Sequence, residues 1–407
     1  MTEVRTAGSP LRILLISRCP PLPLHLGDRL IVYHLARQMR ARGHQIDLLA
    51  FDDDAAPPDP DAFREMFGYQ NLFPDPRRGT VDYLRRLILP ARRFPTLPEE
   101  SWSPEMWRAI RRQITRASYD VAHFFGGVQV YEYFRAVDPL PTVITPYESY
   151  SLYLQRQIAA GGGLPARLRH AAARAYESFM FNPFQRVVVL TETDRAALKQ
   201  INPYLSVEVI PNGVELARFT PPEPAQPRTA NTLLFTGNFA YPPNLDAAFF
   251  LIEEILPRVQ EAIPNAVLRL AGANPPQELL EMADEDVIVS GDIPDMRVPL
   301  GDSALFVCPL RVGAGIKNKV LEALAMGCPV VATPLSLDGI AVADGDSAVA
   351  AEAQPDVFAA AVVRTLRDDA LRARLSVRGR QVIVDGYNWS VVADRYEALY
   401  REAIRHK

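Results

Sequence analysis

The stretch PLRVGAGIKNKVLEALAMGCPVVATP (309–334) decides the fold. It leaves an apolar strand, crosses a loop holding Gly313 and Gly315, enters a helix near Ile316, stops at Gly327 and Pro329, and resumes as a second apolar strand. Strand, helix and strand in so short a span form a βαβ unit, and such units build parallel sheets covered by helices. A glycine loop that runs into a helix N-terminus presents unpaired backbone N–H groups and the positive end of the helix dipole, which suits an anion. Arg311, Lys317 and Lys319 crowd into the same loop and first turn, where cations are unfavourable unless an anion offsets the dipole. A diphosphate is the natural candidate. Glu322 lies one turn beyond Lys319, where a carboxylate can accept hydrogen bonds from ribose hydroxyls. A plain core βαβ unit with solvated lysines is the competing explanation of these residues.

The alternation extends in both directions. LRILLIS (11–17), the helical period of DRLIVYHLARQMRARGH (28–44) and QIDLLAF (45–51) form another βαβ unit, with Gly43 as a helix stop. YDVAHFF (119–125), PTVITPY (141–147) and RVVVLTET (186–193) read as further strands, and VEVIPNG (207–213) precedes a proline-rich linker at 220–228. A second series runs through TLLFTGNF (232–239), a helix ending near Ile263, VLRLAGA (267–273), VIVSGDI (287–293) and ALFVCPL (304–310). The expected fold is therefore α/β, with two doubly wound Rossmann-like domains whose strand carboxyl ends face a common cleft. The expected divisions are 1–204, 205–385 and a terminal helix at 386–407. No Gly-Lys pair marks a P-loop, and no G-x-G-x-x-G follows the first strand. Gly27, just before the first helix, fits either a ligand approach or a plain tight turn.

The 407 residues are 48% hydrophobic and 23% charged, proportions that exclude a wholly disordered or fibrous chain. No window nears the ~20 apolar residues of a spanning helix, and MTEVRTAGSP (1–10) leads straight into a strand, which predicts no secretory signal. Cys19, Cys308 and Cys328 lack paired or metal-ligand spacing, which points to a reducing, cytoplasmic setting. The net charge of -4 argues against a nucleic acid partner. That charge is unevenly divided: residues 1–205 carry 26 basic against 21 acidic side chains, and the remainder 18 against 27. The basic half has arginine-dense stretches at 77–94 and 166–186. In the second, Leu168, Ala172, Ala175, Phe179 and Met180 recur at helical spacing among Arg167, Arg169 and Arg174. Such a helix either rests on an anionic membrane surface, placing the protein peripherally on its inner face, or is an ordinary surface helix with a core stripe. Asp52, Asp53 and Asp54 enter a polar loop and predict solvated side chains rather than a metal site.

The carboxyl half resembles the retaining GT-B-fold glycosyltransferases of family four. The matching stretches are Ile210-Pro211-Asn212-Gly213-Val214, GNFAYPPN (237–244), LAGA (270–273), GDIPD (291–295) and GIKNKVLEALAMGCPVVATP (315–334). The YDVAH segment and the Gly27-Asp28 opening of the first helix resemble the amino-terminal half more loosely. The resemblance implies a transferase that moves a sugar from a nucleotide-diphosphate donor to a glycan, lipid-linked or small-molecule acceptor, with retention and without a metal. The nucleotide sugar is then a co-substrate, and no cofactor is implied. Glu322 matches the second glutamate of the family's E-x7-E motif, assigned to the donor ribose, whereas the first falls on Ala314. A subgroup carrying G-I-x-N-K-V-L-E looks similar. Asn238 replaces the arginine expected after Gly237, so Lys319, with Arg311 or Lys317, is left to supply charge to the diphosphate. His123 matches a histidine beside the donor sugar, and a satisfied core histidine is the alternative. The expected catalytic residues are His123, Lys319 and Glu322. Gly27, Gly237, Asn238, Arg311, Gly313, Gly315, Ile316 and Lys317 are expected at the donor, and Asp28 and Glu148 at the acceptor. The terminal helix with Trp389 resembles one that crosses back onto the amino-terminal domain. A sugar-nucleotide epimerase and a non-catalytic interaction domain of the same fold fit the same residues.

Overall fold

The computed structural model describes residues 9–24, 27–52, 65–75, 103–159, 161–223, 227–291 and 293–406. The chain forms two compact units, Met1–Pro211 with Val392–Lys407, and Asn212–Val391.

The first unit holds a seven-stranded sheet of β1 (Arg12–Ser17), β2 (Gln45–Asp52), β3 (Tyr69–Pro74), β4 (Val121–Phe125), β5 (Thr142–Tyr147), β6 (Arg186–Val189) and β7 (Val207–Val209). All neighbours pair in parallel in the order β3-β2-β1-β4-β5-β6-β7. The chain winds outward from β1 to β3, returns to the middle, and winds outward again from β4. Val207–Val209, beyond the 204/205 division expected from sequence, is the last strand of this sheet. The central strands carry apolar runs and β4 is buried throughout, as expected when helices cover both faces. Helix Gly27–Ala41 seals one face with Ile31, Val32, Leu35 and Met39, and Gly43 turns the chain at φ 85°.

The second unit repeats the plan with β8 (Thr229–Thr236), β9 (Val267–Ala271), β10 (Val287–Ser290), β11 (Ser303–Cys308), β12 (Val330–Ala332) and β13 (Val349–Ala350). Their parallel order is β10-β9-β8-β11-β12-β13, with the reversal between β8 and β11. The two doubly wound sheets expected from sequence are present.

The division between the units falls inside the last helix, Trp389–Arg405. Trp389 belongs to the second unit, where it packs so closely on Gly213 that a Cβ there would lie 2.7 Å from Trp389 Cδ2. The rest of the helix belongs to the first unit and buries Tyr396, Leu399, Tyr400 and Ala403. Glu397 reaches His44 at 3.4 Å, and Arg186 pairs with Glu402 at 2.6 Å.

Helix Leu164–Phe179 departs from its expected pattern. Leu168, assigned to a core stripe, is 64% exposed, and Ala175 is exposed as well. The core face is built instead from Ala166, Ala173, Tyr176 and Glu177. The basic stretch at 77–94, Asp53 and Asp54 lie outside the described residues. Among the described residues, no helix is long and apolar enough to cross a membrane, and no group of three or more His, Cys, Asp or Glu converges as a metal site would require.

Candidate functional site

In the second unit, β8 and β11 flank the reversal of the winding, so the loops that leave Thr236 and Cys308 share the sheet edge at which α/β proteins bind ligands. Three close approaches define this edge. Gly237 donates its N–H to Ala271 O at 3.1 Å. Gly272 has φ +150°, and a Cβ on it would stand 1.9 Å from Gly237 O, so only glycine fits. A Cβ on Gly237 would in turn meet Lys319 Nζ and Asn244 Nδ2, each at 2.8 Å. The small residue at 237 therefore makes room for an ammonium.

Lys319 occupies that room. Its Nζ donates to Asn244 Oδ1 at 2.7 Å and sits 4.3 Å from the centre of the Phe235 ring. Asn244 is itself fixed, since its Nδ2 donates to Asn238 O at 2.8 Å. One of the three ammonium hydrogens is thus used, and the other two have no partner among the described residues. Desolvation pulls the Lys319 pKa down to about 8, with Lys317 pushing the same way. Glu322 lies three residues on along helix Asn318–Ala325, and no donor among the described residues reaches its carboxylate. Desolvation pushes its pKa up to about 7, against the opposing pull of Arg218 and Lys319. An ammonium and a carboxylate one turn apart, both half-buried and both with hydrogen-bonding capacity left over, are placed to engage a polar, anionic ligand.

The remaining expected donor residues divide. Gly313 (φ +141°) and Gly315 (φ +65°) take backbone conformations that favour glycine, and Ile316 is buried, pinning the loop to the core. Asn238 Oδ1 caps its own turn by accepting from Ala240 N at 3.0 Å. Arg311, expected at the donor, is paired with Asp246, with Nε 2.9 Å from Oδ2, and lies 4.7 Å from the Phe250 ring centre. Lys317 turns its Nζ onto the carbonyls of Ala314, at 2.8 Å, and Gly315. Of the three cations, Arg311 is held by a carboxylate and Lys317 by backbone carbonyls, while Lys319 makes a single hydrogen bond among the described residues. Two residues had no role in the sequence analysis and acquire one here: Asn244, the last letter of GNFAYPPN, and Phe235 beneath the ammonium.

In the first unit, the β1–β4 reversal carries a different arrangement. Arg18 holds Asp28 with Nη2–Oδ2 at 2.7 Å and lies 5.1 Å from the Tyr147 ring centre. Burial alone would raise the Asp28 carboxyl, but Arg18 outweighs it and keeps the group below its ordinary range. Asp28, expected at the acceptor, is thus committed to Arg18 and to Cys19 Sγ at 3.4 Å. Gly27 is the exposed first residue of its helix. Glu148 follows Tyr147, which closes β5 at φ 74°, and lines a cavity of about 200 Å³ with Arg18, Tyr150, Tyr176 and Glu177. Glu177 is buried against the Ser149 hydroxyl, 3.2 Å away, and its pKa is raised by burial.

His123 corrects an expectation. It is completely buried; its Nδ1 meets the Tyr400 hydroxyl at 2.6 Å and its Nε2 the Thr145 hydroxyl at 2.8 Å. Both ring nitrogens are used inside the core, so here it is the satisfied core histidine, held neutral by burial that lowers its pKa.

Two family models match successive parts of the chain. Residues 230–368 match the family described as Glycosyl transferases group 1, and residues 30–218 match Glycosyltransferase Family 4. A phosphatidyl-myo-inositol mannosyltransferase of Mycobacterium leprae is 26% identical over 384 residues, 91% of each chain. Sucrose-phosphate synthase of Thermosynechococcus elongatus superposes with a TM-score of 0.72 at 18% identity, over 98% of this chain and 100% of that one. Anabaena HepE, solved with UDP and glucose, superposes at 0.67 with 12% identity, over 96% and 100%.

Proposed function

We propose that the chain is a glycosyltransferase of the GT-B fold that takes its sugar from a nucleotide-diphosphate donor held by Lys319 and Glu322, a reading the two family matches and the fold support. The observation that carries this reading is the pair itself: an ammonium with two free N–H groups against Gly237, and a carboxylate without a donor one turn away. Lys319 and the amino end of helix Asn318–Ala325 offset the charge of the diphosphate, and Glu322 accepts hydrogen bonds from the ribose. The bond from the anomeric carbon to the phosphate oxygen breaks. A new bond to the acceptor oxygen forms on the same face, which retains configuration. The acceptor proton passes to the leaving phosphate, so no protein base and no metal is required. On the acceptor side, Glu148 and the cavity it lines offer hydrogen-bond acceptors beside aromatic rings, a surface that suits a polyhydroxylated ring. The relative named as a phosphatidyl-myo-inositol mannosyltransferase supports an acceptor borne on a lipid.

Calorimetry with UDP, GDP and ADP tests the donor half. One of these binds the wild type; Glu322→Gln weakens that binding about ten-fold, and Lys319→Ala lowers transfer about a hundred-fold. Wild-type affinity and turnover in both variants would remove the site. Conversion of the donor to an isomer without any acceptor, followed by NMR, would replace the transferase reading with an epimerase.

A further inference from the structure

Residues 149–176 contain no aspartate or glutamate, yet Arg156, Arg167, Arg169 and Arg174 all fall within them. They form two packed helices, Tyr150–Ala159 and Leu164–Phe179, joined through Gly161–Gly163. On the second helix, Ala166, Ala173, Tyr176 and Glu177 face the core. At 100° per residue, Leu164, Leu168, Ala171 and Ala175 then form a stripe on the opposite side. Leu164 is 68% and Leu168 64% exposed, and both alanines are exposed too. Arg167 and Arg174 run along one margin of this stripe and Arg169 lies beyond the other. All three are exposed and make no ion pair among the described residues.

The helix therefore carries two apolar stripes, and its own fold buries only one. Cationic margins and a run free of acids select an extended anionic partner. Aliphatic side chains between arginines match the boundary between lipid headgroups and acyl chains, where leucines insert and guanidinium groups meet phosphates. We propose that this helical hairpin docks the protein on an anionic lipid bilayer through Leu164 and Leu168, with Arg167, Arg169 and Arg174 against the lipid phosphates.

Co-sedimentation of the full chain with vesicles tests this without donor or acceptor. At low salt the wild type pellets with equimolar phosphatidylglycerol and phosphatidylcholine, and stays in solution with phosphatidylcholine alone. Leu164→Asp with Leu168→Asp lowers the partition coefficient at least ten-fold, and Arg167→Gln, Arg169→Gln and Arg174→Gln together lower it on the order of a hundred-fold. As a second measurement, Leu168→Trp shows a blue-shifted emission on adding the anionic vesicles. Failure of the wild type to pellet, pelleting of both variants like the wild type, or a stripe that proves to join two copies in analytical ultracentrifugation would each overturn the proposal.

Discussion

Lys319 and Glu322 titrate close together because desolvation moves each toward its neutral form, the base down to about 8 and the acid up to about 7. The donor site proposed above requires both charged. Below about 7 the carboxyl gains a proton and no longer accepts freely from ribose; above about 8 the ammonium loses the charge that faces the diphosphate. Nucleotide affinity is therefore expected to peak between these values, and Glu322→Gln to flatten the acidic limb alone. Calorimetry across the range checks this, and a Glu322→Gln profile that keeps the wild-type acidic limb speaks against it. Two glycines separate crowding from conformation. Gly272→Ala places a methyl group 1.9 Å from a carbonyl oxygen, whereas Gly345→Ala, at φ +70°, meets open space. The first is expected to cost more than about 3 kcal/mol in urea unfolding and the second about 1 kcal/mol. Equal costs would show that the Gly237–Gly272 contact relaxes. Glu322 and Lys319 were legible in the sequence because a glycine loop before a helix is a local pattern. That Arg311 is engaged by Asp246, 65 positions earlier, was not.

At the scale of elements, the sequence predicts strands and helices best where one period dominates. Strands β1, β4, β8 and β11 each carry a buried apolar run and overlap the stretches expected. Helix Leu164–Phe179 was legible as a helix, but its core face was not, because small alanines make two candidate stripes and only packing selects between them. The last helix shows how an element changes a residue's role. By bringing Tyr400 to His123 Nδ1, it turns a histidine at a strand end into part of the core. Tyr400→Phe leaves that nitrogen buried without its partner and is expected to cost about 1–3 kcal/mol in denaturant unfolding, with nucleotide affinity unchanged. Wild-type stability in Tyr400→Phe would mean that the histidine is satisfied in another way.

At the scale of the molecule, one unit is continuous in sequence and the other is not. Asn212–Val391 contains its own sheet and core, including the Trp389 that packs on Gly213. The first unit needs Val392–Lys407, whose Tyr396, Tyr400 and Ala403 are buried in it. Expressed alone, 212–391 is expected to fold and bind a nucleoside diphosphate. Residues 1–211 are expected to aggregate unless 392–407 is supplied. Circular dichroism and calorimetry on the fragments decide the matter, and a stable, monomeric 1–211 would contradict it. The sequence by itself determined the α/β alternation, the two sheets and the glycine loop that opens the helix at 313–322, because these follow from periodicity and glycine chemistry within one βαβ unit. Only the tertiary structure decided which charges remain unpaired for a ligand. Pairing joins residues far apart in the chain: Asp246 takes Arg311 and Tyr400 takes His123, while Lys319 and Glu322 keep groups that no side chain among the described residues completes.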